Sequence, residues 1–198
     1  ASAATIALNV NAAVYGDAAV AGMSIVGRLF MFVFVVNLGI GQGYMPVAGY
    51  NYGAGRFDRL KKAFFFTLKV TSILMTAAAV ASFTAAPFLI RLFIRNDADV
   101  VRIGAGALRA MSLAMPLIPL GVVCNMTFQS IGRSWTATVL SLARQGIFFL
   151  PLILTLPGFI GLTGVQITQP IADALTFLSC LPLAYGFFRG LENDSGTP

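Results

Sequence analysis

Residues 145–172 contain no Lys, Arg, Asp or Glu, and residues 63–90 contain one charge, Lys69. A bilayer core of roughly 30 Å is crossed by about 20 apolar residues in an α-helix. Both stretches are long enough to span it, and both exceed the core of a signal peptide, about 7–15 residues. A water-filled surface could not hide this much apolar side chain. The chain is 58% hydrophobic and 10% charged, against about 25% charged in soluble domains. The fold class that follows is all-α: a polytopic transmembrane helix bundle.

Six apolar segments are legible, at about 1–14, 18–46, 60–94, 99–130, 135–156 and 161–188. Together they make one membrane unit over 1–190. The polar tail 191–198, with Glu192, Asn193 and Asp194, is expected to be disordered. The first segment opens at Ala1 without a polar lead, so it reads as the end of a longer helix. The links are short, which makes consecutive helices antiparallel neighbours. They are Tyr15–Asp17, a glycine-rich loop at Gly49–Asp58, a polar corner at Arg95–Asp99, Gly132–Ser134 and Pro157–Gly161. Pro116 and Pro119 fall mid-helix, where a missing N–H and a ring clash predict a kink.

Net charge is +6. In a soluble protein that excess would suggest nucleic acid, but here much of it sits in Arg56, Arg59, Lys61 and Lys62. The positive-inside rule puts that loop in the cytoplasm. Alternation adds Arg133, Arg189 and the C-terminus to the same side. The turns at Asp17 and Pro157–Gly161, free of Lys and Arg, then fall outside, as does the corner where Arg91, Arg95 and Arg102 surround Asp97 and Asp99. Tyr50, Tyr52, Phe64, Phe65, Phe66 and Trp135 gather near the cytoplasmic ends, as an interfacial belt or as lipid-facing side chains. The expected location is the plasma membrane, the inner membrane of a bacterium.

Polar atoms inside a bilayer are costly and turn toward protein or water. Gln166, Gln169, Asp173, Thr176 and Cys180 recur at helical spacing on one face of the last helix, and Ser134, Thr138, Ser141 and Gln145 on one face of the fifth, with Arg144 beside them. Counted from the turn at Phe159, Arg144 and Asp173 lie at nearly equal depth. They are expected to approach each other, as a structural ion pair or as part of cation coupling. Arg28 also lies deep, with Gln42 on its face, and is placed in the same polar network. Asn9, the set Phe30, Phe34 and Asn37, and the set Met111, Asn125 and Gln129 are candidate cavity residues. Methionine adapts its shape and aromatic faces attract cations; ordinary helix packing is the competing reading.

Enzyme chemistry finds no support. The chain has no His, so the HExxH motif is excluded, and GxSxG is missing. Asp173 has no second intramembrane carboxylate beside it. Cys124 and Cys180 have no metal or disulfide spacing. Gly49–Arg56 lacks the phosphate-loop pattern, and the acceptor-like triplets at Asn125 and Asn193 fall where glycosylation is not expected.

The run Gly39–Gly55 resembles the signature of the multidrug and toxic compound extrusion (MATE) family. A glycine- and glutamine-rich helix end leads there into Gly49, Tyr50, Asn51, Tyr52, Gly53 and Ala54, followed by basic residues. Tyr15–Ala21, Ala107–Arg109, Phe128–Arg133, Leu140–Gln145 and Pro170–Asp173 are similar to other family segments. The resemblance implies twelve helices in two pseudo-symmetric lobes that rock about a central cavity. A Na⁺ or H⁺ gradient would drive export of lipophilic, often cationic drugs. This chain would be helices seven (partial) to twelve, its partners membrane lipid, small-molecule substrates and an absent N-terminal lobe. No organic cofactor, resident metal or nucleic acid is implied. Some members carry a cation-binding carboxylate in helix seven or ten; the matching segments here have no membrane-embedded acid, which points to the absent lobe for coupling. A flippase for lipid-linked oligosaccharides and a non-transporting scaffold are the alternatives.

Overall fold

In the computed structural model, which describes residues 3–94 and 97–195, the described residues form helices joined by short turns. They are α1 (Ala3–Ala13), α2 (Asp17–Gly53), α3 (Phe57–Thr84), α4 (Ala86–Arg91), α5 (Ala98–Ala114), α6 (Ile118–Ser130), α7 (Ser134–Leu142), α8 (Phe149–Ile160) and α9 (Leu162–Ser195). A 3₁₀ turn, Met115–Leu117, joins α5 to α6, and a π-helical turn, Ala143–Phe148, joins α7 to α8. Five stretches are long and apolar enough to cross a membrane: 17–53, 57–84, 98–130, 134–160 and 162–191.

The boundaries differ from the sequence expectation in several places. The fifth segment, expected to end near 156 with a turn over Pro157–Gly161, stays helical to Ile160 and turns only at Gly161, which takes φ 62°. The glycine-rich region at 49–58 is helical as far as Gly53, and Pro46 sits inside α2. The helix closes later because Gly55 takes φ 66°. Arg56 N–H then donates to Asn51 O at 2.8 Å and Gly55 N–H to Tyr52 O at 3.1 Å, the paired bonds of a Schellman cap. The third segment, expected to run over 60–94, is interrupted at Ala85; the short α4 restarts with Pro87 in its first turn, where a missing N–H costs nothing. The polar tail expected from Leu191 begins as helix, since α9 continues to Ser195. Residues 196–198 and the corner residues Arg95 and Asn96 lie outside the described residues.

At the expected kink, Pro116 lies within the 3₁₀ turn between α5 and α6. Packing around this broken crossing is close. A methyl group on Gly22 of α2 would sit 3.1 Å from the Gly104 amide nitrogen of α5, and one on Gly49 would sit 3.1 Å from Ser130 O of α6. Small residues let these parallel helices touch backbone to backbone.

The buried side chains divide into two apolar clusters. One gathers Met23, Ile90, Leu108, Met115, Phe149, Ile153 and Val165. The other gathers Tyr44, Leu60, Phe64, Val123, Phe128, Leu140 and Phe188, at the end where the basic residues lie. Met115 of the 3₁₀ turn belongs to the first cluster, and along the chain the π turn separates Leu140 of the second from Phe149 of the first. Hydroxyls within the helices are satisfied locally: Thr71, Ser112, Thr127, Thr168 and Thr176 each donate to a carbonyl one turn back, at 2.6–2.8 Å.

Candidate functional site

The level between the two clusters holds a polar pocket. Arg144 Nε donates to Asp173 Oδ1 at 2.6 Å, with the Asp173 side chain 1% exposed and that of Arg144 16% exposed. Gln169 Nε2 donates to the same oxygen at 3.1 Å. Asp173 Oδ2 is buried with no hydrogen-bond partner. The Arg144 guanidinium stands 4.8 Å from the centroid of Phe34 and 5.9 Å from that of Phe30; these rings stack at 5.4 Å. The cation is thus held by a carboxylate and by aromatic faces, each of which attracts it.

Local structure explains how Arg144 reaches this place. It belongs to the π turn Ala143–Phe148, an insertion that shifts helical phase and is frequent at functional positions. Gly146 of the same turn faces open space, since an added methyl there would meet nothing within 4 Å. No pattern in the sequence reading anticipated this turn.

The pocket encloses about 260 Å³ and is walled by α2, α6, α7, the π turn and α9. Phe34, Asn125, Gln145, Arg144 and Asp173 line it together with Met126 and Phe177. Asn125 Nδ2 donates to Ala137 O at 2.7 Å and to Ser141 Oγ at 2.8 Å. Its Oδ1 accepts from Gln129, which is exposed. Met126 and Phe177 were not singled out in the sequence, because an apolar residue gives no sign of which helix contact it faces.

Other candidates lie elsewhere. Met111 packs in the first apolar cluster. Asn37 is fully buried, with neither amide atom hydrogen-bonded, and does not line the pocket. Asn9 is half-buried on α1 and also does not line it. Arg28 and Gln42 are exposed on α2, outside the pocket lining and the bonds that hold Asp173. Depth along a helix carries no bearing around it, so it could not tell that Arg28 faces away from the pocket. Among the signature residues, Gly49–Gly53 form the end of α2 and Ala54 begins its cap. There Asn51 Nδ2 donates to Val47 O, and the Tyr52 ring packs on Phe57 and Phe187. They are remote from Asp173 in sequence, and their contacts are structural. Among the described residues, no three His, Cys, Asp or Glu side chains gather into a metal-binding cluster.

Comparison with known proteins gives a consistent result. The multidrug export protein MepA of Staphylococcus saprophyticus is 26% identical over 180 residues, covering 91% of this chain and 39% of that protein. MepA of Staphylococcus aureus strain NCTC 8325 / PS 47 is 27% identical over 182 residues. The chain therefore spans about two fifths of the length of these relatives. Among solved structures, "Crystal structure of MATE in the bent conformation" superposes with a TM-score of 0.90 at 23% identity, over 98% of this chain and 43% of that one. A MOP superfamily transporter from Pyrococcus furiosus, in a study on "reverse polarity of binding pocket", gives 0.88 at 22% identity, over 96% of this chain and 43% of that one. The fold is that of one lobe of these transporters. The family model MatE matches residues 2–155, more than half of the sequence, and the chain belongs to that family.

Proposed function

We propose that this chain is one lobe of a cation-coupled multidrug exporter, and that the Arg144–Asp173 pocket is its share of the substrate cavity. The observation that carries the reading is a buried ion pair, backed by stacked phenylalanines, opening on a 260 Å³ hollow inside a membrane bundle. Charges at that depth are expensive and mark pathways or relays. The names of the relatives support export: MepA is a multidrug export protein, and one structural neighbour is a "multidrug resistance MATE family transporter".

Alternating access would come from movement of this lobe against a companion. Neighbours described as outward-facing and inward-facing match it almost equally, at TM-scores of 0.89 and 0.87, which supports a lobe that moves as a body. Coupling by Na⁺ or H⁺ is assigned mainly to the companion lobe. Asp173 Oδ2 is the atom on this side at which a proton or cation would be taken up. The basic loop 56–62 and the C-terminus face the cytoplasm in this reading. One cation paired with one carboxylate leaves the pocket near neutral, which favours drug-like compounds over the pyrophosphate of a lipid-linked oligosaccharide.

The test uses the full-length transporter in a strain lacking its major exporters. Efflux of a lipophilic cation such as ethidium should appear, collapse with the ion gradient, and fall at least tenfold in Phe34→Ala and Asp173→Asn. Normal efflux by both variants would remove this pocket from the pathway, and no efflux of any lipophilic cation would defeat the export reading.

A further inference from the structure

A second hollow, separate from the pocket except for the shared Phe177, runs between α3 and α9. It is a groove of about 690 Å³. Phe64, Leu120 and Phe188 are buried at its base, while Phe65 (51%), Leu181 (45%) and Tyr185 (68%) stand exposed along it. Two cations, Lys61 and Arg189, complete the lining. They belong to different helices yet to the same end of the bundle, because the rings of Phe64 and Phe188 meet at 4.8 Å. The exposed Arg56, Arg59 and Lys62 follow one another beside that end.

The dimensions are those of a lipid. On α3 the lining runs from Lys61 to Ser72, and on α9 from Arg189 to Phe177. At 1.5 Å per residue both stretches measure about 16–18 Å. One leaflet of the hydrocarbon core is about 15 Å deep. The groove is thus cationic at one end, apolar along its walls and as long as a single leaflet. Basic side chains at a membrane surface attract anionic headgroups; the uncompensated negative charge of an anionic phospholipid complements Lys61 and Arg189, whereas in phosphatidylcholine the same phosphate is offset by the choline cation.

We propose that the α3–α9 groove binds one anionic phospholipid from the leaflet on the side of the basic loop. Its phosphate sits between Lys61 and Arg189, and an acyl chain lies along Leu68, Leu120 and Leu181. The site is independent of the export reading, since it shares neither Arg144 nor Asp173.

Native mass spectrometry of the full-length transporter tests this, with phosphatidylglycerol and phosphatidylcholine of matched chains as probes. The wild type should retain one phosphatidylglycerol in preference to phosphatidylcholine. Lys61→Gln and Arg189→Gln should each weaken that retention about fivefold, with the loss multiplied in the double variant. Ala184→Trp, which fills the groove, should release both lipids. Equal retention of the two lipids by the wild type would overturn the proposal. So would undiminished phosphatidylglycerol retention by a monodisperse Lys61→Gln/Arg189→Gln variant, or by a monodisperse Ala184→Trp variant.

Discussion

The crossings Ala98–Ser130 and Ser134–Ile160 are almost equally apolar, yet 67% of the most apolar part of the first is buried and 22% of that of the second. Each is broken near its middle, the first by a 3₁₀ turn at Pro116 and the second by a π turn at Arg144. The inner crossing is a packed column whose break is filled by apolar side chains, with Met111, Met115 and Ile118 all buried. The outer crossing uses its break to aim a cation at α9. Hydropathy reports that a segment tolerates lipid; it does not report how much lipid the segment meets.

The largest effect should come from removing the reason for the outer break. Arg144→Ala leaves Asp173 buried without its cation and should cost about 3–5 kcal/mol, read as a fall in the temperature at which the detergent-solubilised full-length protein loses monodispersity. Removing both charges in Arg144→Ala/Asp173→Ala should recover part of the loss. If the double variant is the less stable of the two, the pair is not the staple of the outer crossing.

A second way to separate the regions is to push α8 away from α9. A methyl group on Gly164 would lie 2.6 Å from the Leu156 carbonyl group, so Gly164→Ala must shift backbone and should cost about 1–3 kcal/mol. The Arg144–Asp173 contact lies along the same seam, so efflux should fall with stability. Full efflux in this variant would show that the outer crossing moves without disturbing the pocket.

The two crossings are joined by Asn125, which donates to Ala137 O and Ser141 Oγ across the α6–α7 contact. Asn125→Ala should cost about 1–2 kcal/mol and allow faster hydrogen exchange in α7 than in α6. Equal acceleration in both helices would mean that the inner column does not stand alone. The smallest effect belongs to the exposed pair at the start of the inner crossing, Arg102 Nη2 to Asp99 Oδ1 at 2.9 Å, with side chains 79% and 69% exposed. Arg102→Ala should change stability by less than about 0.5 kcal/mol, and the small residual effect should vanish in high salt. A loss comparable to that of Arg144→Ala would contradict the contrast between screened and buried charge.

How much of the candidate site could be read from sequence depends on what each residue advertises. Arg144 and Asp173 are charges in apolar surroundings, and equal distance from the turn at Phe159 placed them at one level; they meet at 2.6 Å. Phe34 and Asn125 were legible as polar or aromatic members of helical faces, and both line the pocket. Asn37 satisfied the same spacing rule and is buried outside it. Arg28 satisfied the depth rule and points to the surface. Met126 and Phe177 satisfied no rule, because an aliphatic or aromatic residue in a membrane helix suits lipid, a neighbouring helix or a cavity equally well.

By itself the sequence determined that the chain crosses a membrane several times as helices. In a bilayer an uninterrupted apolar run of about twenty residues satisfies its backbone within itself as an α-helix, whereas a barrel strand needs only about 9–11 residues. It also determined the heights of the charges along those helices, since the rise per residue is fixed. Only the tertiary structure decided the bearings: which crossing became the inner column, where the π turn rotated Arg144 toward Asp173, and why the helix after Pro46 persists to a glycine cap at Gly55. Those outcomes depend on how side chains from distant parts of the chain fill one another's gaps, and hydropathy and spacing along a single helix carry no record of that fit.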